Sequence, residues 1–233
     1  MADIKVISAG AVHSMVTALG PEFERDTGNK LNLNFNTAGA MRDRIKGGET
    51  CDLVILSESI IADLAKLGFV VPGSITDLGR TVTGVMVREG APLPDISTPE
   101  AFKQALLNAK SVAYTDPKSG GSGGIVFAAM LEQLGIADAV NKKAVFGNRG
   151  TESAQAVADG RAEIGTTFIS EALPVKGAKV VGPLPGHLHN ANTYTAAVHA
   201  KAVSSDAAMA FIRYLTKPEG RSRWTAAGLE PAF

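Results

Sequence analysis

A short apolar strand, a loop rich in Gly, Ser, Thr or Asn, and an amphipathic helix closed by glycine recur from one end of this 233-residue chain to the other. A chain ordered in this way buries its strands between helices, which restricts it to α/β architectures with parallel strands. Ile4, Val6 and Ile7 form the first strand, residues 8–11 its loop, and Val12, Val16, Leu19 and Phe23 fall at helical spacing before Gly28. Pro21 removes a helix hydrogen bond, which predicts a kink or a restart after Gly20. Leu31, Leu33 and Phe35 alternate as a second strand, and a short helix through Met41 and Ile45 ends at Gly47 and Gly48. The unbroken apolar run 53–56 reads as a strand covered on both faces, with Ser57 opening the helix 60–67 before Gly68.

The same order resumes after residues 82–87, which are extended, and after the helix start Ser97-Thr98-Pro99-Glu100, where proline suits a first turn. Strand 111–115, loop 116–124 and helix 125–134 follow, then strand 144–146, loop 147–151, a helix to Asp159 and strand 163–168. Strand 179–181, an extended segment 193–198 and helices 207–215 and 219–227 complete the chain. The predicted fold is α/β with two lobes, each a mostly parallel sheet flanked by helices whose loops gather at the strand C-termini. Segments 82–87 and 193–198 lack a helical sequel and read as two hinge strands crossing between lobes. Lobe I is then residues 1–81 with 194–233 and lobe II residues 82–193, and the cleft between them is the expected site.

Composition excludes several classes of function. At this length and 45% hydrophobic residues a core needs no disulfide or metal staple, and the single Cys51 reads as a small buried hydrophobe. Equal numbers of acidic and basic side chains, 23 of each, give no global attraction for nucleic acid. No apolar run approaches the ~20 residues of a membrane span, so no membrane insertion is expected. The opening MADIKVISAG reads as a strand rather than an export signal. The protein is then cytoplasmic if Met1 is the native start, and exported if a signal was removed.

Four strand-to-helix junctions are rich in small polar residues: 8–11, 36–40, 119–124 and 148–151. The N–H groups of a helix's first turn lack intrahelical partners and favour an anion, and glycine lets a ligand approach the backbone. Each junction alone has a purely structural reading as a helix cap. Together they single out Ser8, Ser119, Ser122 and Thr151 as candidate donors. Arg149, inside the last junction, could fork onto a carboxylate, and His13 and Arg42 are the other cations near these loops. Gly120 to Gly124 satisfies G-x-S-x-G, but a nucleophile elbow needs a strand running directly into its serine, and residues 116–121 intervene. No phosphate-binding P-loop sequence is present, and His187 and His189 lack a third ligand, so neither a cofactor nor a metal is expected. Asp159 and Glu163 flank Gly160-Arg161 as solvated turn charge.

The opening I-K-V-I-S-A-G-A-V, the segment T-A-G-A-M-R-D-R-I-K-G-G-E with C-D-L-V-I-L-S, the loop D-P-K-S-G-G-S-G-G and the stretch A-D-G-R-A-E-I-G together resemble one family. It is the molybdate-binding-protein-like branch of type II periplasmic solute-binding proteins, receptor components of ABC transporters. The resemblance implies a periplasmic location, an ABC permease partner and two lobes closing over a dehydrated oxyanion. By position it assigns ligand contacts to Ala11, Thr37, Ala38, Ser122, Gly123, Gly150 and Phe168. Molybdate binders typically carry serine at Ala11, serines at Ala38 and Gly39, and tyrosine at Phe168. Each lost hydrogen bond to a charged group costs about 1.5–3 kcal/mol. A small organic di- or tricarboxylate, with its carbon skeleton against Ala11, Ala38 and Phe168, therefore suits these residues better than a bare oxyanion. The expected function is binding of such an anion without catalysis. Because relatives of this branch look to include an aconitate isomerase, the alternative is an isomerase using His13, Asp116 or Glu152 as its base.

Overall fold

The computed structural model describes residues 1–233. The chain packs as two compact units, one of Met1–Arg80 with Asn192–Phe233 and one of Thr81–Ala191. The first unit begins with β1 (Asp3–Ala9), α1 (His13–Thr27), β2 (Lys30–Asn36), α2 (Ala38–Lys46), β3 (Leu53–Ser57) and α3 (Glu58–Lys66). Strand β4 (Thr76–Arg88) carries the chain into the second unit, formed by α4 (Pro99–Asn108), β5 (Val112–Thr115), α5 (Ser122–Gln133), α6 (Ala137–Asn141), β6 (Ala144–Gly147), α7 (Gly150–Ala158), β7 (Ile164–Phe168), α8 (Ile169–Ala172) and β8 (Ala178–Pro183). Strand β9 (Ala191–Val198) returns to the first unit, which ends with α9 (Ser205–Leu215), α10 (Arg221–Ala226) and β10 (Glu230–Pro231).

Each unit is organised around three parallel strands in the same order. In the first, β1 lies between β2 and β3, pairing from Asp3↔Lys30 to Ala9↔Asn36 on one side and from Val6↔Leu53 to Ser8↔Ile55 on the other. In the second, β5 lies between β6 and β7, from Val112↔Ala144 to Thr115↔Gly147 and from Val112↔Ile164 to Tyr114↔Thr166. Antiparallel strands extend both sheets, β9 on β3 in the first unit and β4 on β7, with β8 on β4, in the second. The winding reverses between β1 and β3 and between β5 and β7, and in doubly wound sheets generally such reversals open a crevice beyond the strand C-termini.

Burial follows the apolar pattern. Every residue of β3 is buried, as an apolar run sandwiched by helices requires. The second unit's sheet has a core on each face: Val85, Phe102, Tyr114, Phe127 and Leu131 on the α5 side, Met86, Ala113, Ala154 and Val157 on the α7 side. Cys51 is buried, and burial pushes its thiol up to about 12, which leaves it an inert hydrophobe. In the first unit the Asp52 carboxylate accepts from the N–H groups of Lys5 (2.8 Å), Val203 (2.8 Å) and Ser204 (2.7 Å), joining the two stretches of chain that make this unit.

Three local expectations change. Helix α1 runs from His13 to Thr27 with Pro21 inside it, so no restart follows Gly20. The buried face of Met15, Val16, Leu19 and Phe23 outweighs the local proline penalty of ~3 kcal/mol. Strand β4 is longer than segment 82–87, because Gly79 lets Trp224 and β10 close on it: a Cβ there would lie 3.1 Å from the Trp224 ring and from Glu230 O. Helix α5 starts at Ser122, three residues before the expected 125. Gly124 belongs to its first turn because any Cβ there would overlap the Thr115 carbonyl, so this glycine serves close packing of helix on strand and not loop freedom.

Candidate functional site

The first unit's loop ends come from β1, β2 and β3. Ser8 is buried at the end of β1, its hydroxyl donating to Ala9 O at 3.1 Å. Ala11 sits in the 3₁₀ turn Gly10–Val12 and is 2% exposed. Thr37 caps α2 by accepting from Ala40 N–H at 3.3 Å, while Asn36 Oδ1 accepts from Thr37 N–H at 2.9 Å. Ala38, the first residue of α2, is 3% exposed. His13 opens α1 on the surface, its ring edge-on to Phe35 at 4.5 Å, so the first and second junctions meet. Arg42 is committed to Asp43 at 2.8 Å. The α1 first turn also holds Ser14, whose buried hydroxyl has no hydrogen-bond partner.

In the second unit Asp116 caps the 3₁₀ turn Pro117–Ser119, accepting from Lys118 N–H at 2.9 Å, and Ser119 Oγ donates back to Asp116 O at 2.7 Å. Asp116 N–H donates to Gly147 O at 2.8 Å, which ties the ends of β5 and β6 together. Ser122 and Gly123 open α5, and Gly150 and Thr151 open α7, and neither helix has a side-chain cap. Their first N–H groups therefore lack the side-chain acceptor that most helix starts supply. A Cβ on Gly123 would stand 3.4 Å from the Phe168 ring, so the α5 start and the β7 end are in contact. Arg149, the N-cap of α7, is exposed and makes no ion pair. Glu152 accepts from Asn148 N–H at 2.9 Å.

Two features here escape sequence reasoning. Thr83, Thr166 and Ser170 carry buried hydroxyls with no partner, three of the six such side-chain atoms in the chain, so the polar neighbourhood of Phe168 is unsatisfied. Thr83 pairs directly with Phe168, and Thr166 and Ser170 lie two residues either side of it. The second feature is Glu171. Its residue is half-buried, yet its carboxyl lies inside: Oε2 accepts from Thr167 Oγ1 at 2.9 Å, and the carboxyl accepts from Phe168 N–H. A Cβ on Gly150 would overlap both that carboxyl and Thr167 Oγ1. Burial, only partly offset by these two hydrogen bonds, pushes Glu171 up to about 7. The spacing of Glu171 three residues after Phe168, that of a capping box, is the one sequence signal for it.

Ser122 does not form a nucleophile elbow. A 3₁₀ turn separates it from β5, and its own φ is not left-handed, since only glycines in this chain have positive φ. No group of three or more His, Cys, Asp or Glu side chains is placed to hold a metal ion. No helix is long and apolar enough to cross a membrane.

Two α/β units, each with parallel strands delivering helix starts to one end of its sheet, make the periplasmic-binding-protein fold. The chain belongs to the bacterial extracellular solute-binding protein family, which it matches over residues 4–230, within the molybdate-binding-like branch. It is 32% identical to an aconitate isomerase from a Pseudomonas species, across 98% of this chain and 87% of that protein. It is 26% identical to the molybdate-binding protein ModA of Azotobacter vinelandii, across 94% and 86%. The solved substrate-binding domain assigned to a molybdenum ABC transporter from Clostridium difficile shares the fold with a TM-score of 0.75 at 20% identity, all of both chains being covered.

Proposed function

We propose that this protein binds a small organic polycarboxylate of the aconitate type, outside the cytoplasm and in the service of an ABC permease. The observation that carries the reading is in the second unit, where α5 and α7 start without side-chain caps and the N-cap of α7 is the unpaired Arg149. Carboxylates suit these N–H groups and the guanidinium fork, and the apolar Phe168 ring beside Gly123 suits a carbon skeleton. Calorimetry and thermal unfolding with trans-aconitate, cis-aconitate, citrate, molybdate and sulfate test it. A ligand at a hundred times its Kd adds about 2.7 kcal/mol to stability, a clear shift in Tm. Binding of molybdate or sulfate alone, or of nothing at millimolar concentration, would remove it.

A second reading, isomerisation of the bound polycarboxylate, is favoured by the 32% identity to an aconitate isomerase. A base would take a proton from the methylene beside a carboxylate, the double bond would shift by one position, and the proton would return at the far carbon. No oxidant or second substrate is needed. Among the expected bases, Asp116 and Glu152 already accept backbone N–H groups and His13 lies on the surface against Phe35. Proton NMR of cis- or trans-aconitate in deuterated buffer decides the matter, since an unchanged spectrum after long incubation leaves binding alone.

A further inference from the structure

We propose that Glu171 is the proton-carrying group of the ligand site, its carboxyl becoming protonated when an anion is held at the first turn of α7. The inference rests on the polycarboxylate reading above. Its geometric basis is the contact at Gly150: the residue that opens α7 has no side chain, and the Glu171 carboxyl occupies the space where one would stand. An anion taken by the α7 start thus arrives beside a carboxyl already withdrawn from water. Two carboxylates at such range cannot both stay ionised cheaply, and the proton settles on the one that solvent serves least.

No cation is at hand to relieve Glu171. Strand β7 brings no charged side chain, α7 brings Arg149, Glu152 and Asp159, the turn after α8 brings Lys176, β8 brings Lys179 and β4 ends in Arg88. All six are exposed, Glu152 is taken by Asn148 N–H, and none of them is among the influences on Glu171, which are burial, the Thr167 hydroxyl and the Phe168 N–H. With the carboxyl near 7 before any ligand arrives, a nearby anion moves its protonation upward, into the range where binding draws a proton from the buffer.

The test is calorimetry of trans-aconitate between pH 7 and 9, where the probe's own carboxyls are ionised, in two buffers of different ionisation enthalpy. The wild-type protein should take up a fraction of a proton approaching ~1 per ligand, and its affinity should fall by up to about tenfold per pH unit. Glu171→Gln, which keeps an acceptor for Thr167 and Phe168, should bind with no proton uptake and a flat profile. Thr167→Val removes a hydrogen bond that favours the ionised form, and should move the midpoint to higher pH. Binding that is pH-independent in the wild type, or that keeps the wild-type slope in Glu171→Gln, overturns the inference and leaves the polycarboxylate reading intact. If neither the wild type nor the Thr167→Val protein binds the probe at any pH, the reading itself fails and takes the inference with it.

Discussion

The two units repeat one strand order but carry different side chains at their loop ends. In the first unit the junction side chains serve their own backbone: Thr37 caps α2, Ser8 donates to Ala9 O, and Ala11 and Ala38 present methyl groups. In the second, α5 and α7 begin without side-chain caps, as α1 and α3 do in the first, but Arg149 has no partner, three buried hydroxyls are unsatisfied where the first unit's junctions leave only that of Ser14, and a buried carboxyl lies against Gly150. One topology thus supports a shape-giving surface in one place and a charge-bearing one in the other, because strand order fixes where loops arrive and not what they carry.

The sharpest way to break this contrast is through glycine. Gly124→Ala in the second unit should destabilise by ~3 kcal/mol, since its Cβ meets the Thr115 backbone, which cannot swing aside. Gly20→Ala in the first unit meets only the side-chain ends of Leu31 at 3.2 Å and Leu33 at 3.9 Å and should change stability by less than about 1 kcal/mol. Urea unfolding of both variants would reverse the assignment if the two costs were equal.

Next in size is the pH dependence of stability. Glu171 is harder to ionise folded than unfolded, so its burial costs nothing below about pH 4.5, and wild-type stability falls as pH rises through about 7. Allowing for the residue's partial exposure, Glu171→Gln should be about 2 kcal/mol more stable than wild type at pH 8 and equal to it at pH 4. A constant gap in Tm between those pH values would contradict this. Arg149→Ala should leave unfolding unchanged while weakening trans-aconitate binding by about tenfold, about 1.4 kcal/mol, as calorimetry would read. The smallest effect belongs to the first unit: Thr37→Ala removes a cap and should cost ~1 kcal/mol in thermal unfolding.

Much of the architecture is legible in the residues because apolar spacing and closing glycines act locally: Gly28 and Gly68 take left-handed φ values of 74° and 76°, one and two residues past the ends of their helices. What was not legible depends on partners distant in sequence. Pro21 looks like a break until the packing of Phe23 against Phe211 is seen, and Gly79 looks like a strand end until Trp224 covers it. The run Gly120–Gly124 reads as a flexible loop, whereas two of its glycines are fixed by Phe168 and Thr115. The short helices α6 and α8 span too few residues to show a period. Glu171 sits in such a helix, and only the three-residue step from Phe168 hints that it turns inward.

The Asp52 carboxylate, holding the N–H groups of Lys5, Val203 and Ser204, has a consequence for how the protein is made. On the ribosome, residues 1–80 emerge first yet cannot close their sheet edge until the last forty or so have been synthesised, while the intervening unit is complete in one continuous stretch. The middle of the polypeptide is therefore the part able to mature during translation, while the stretch before it stays open until its distant sheet partner has been made.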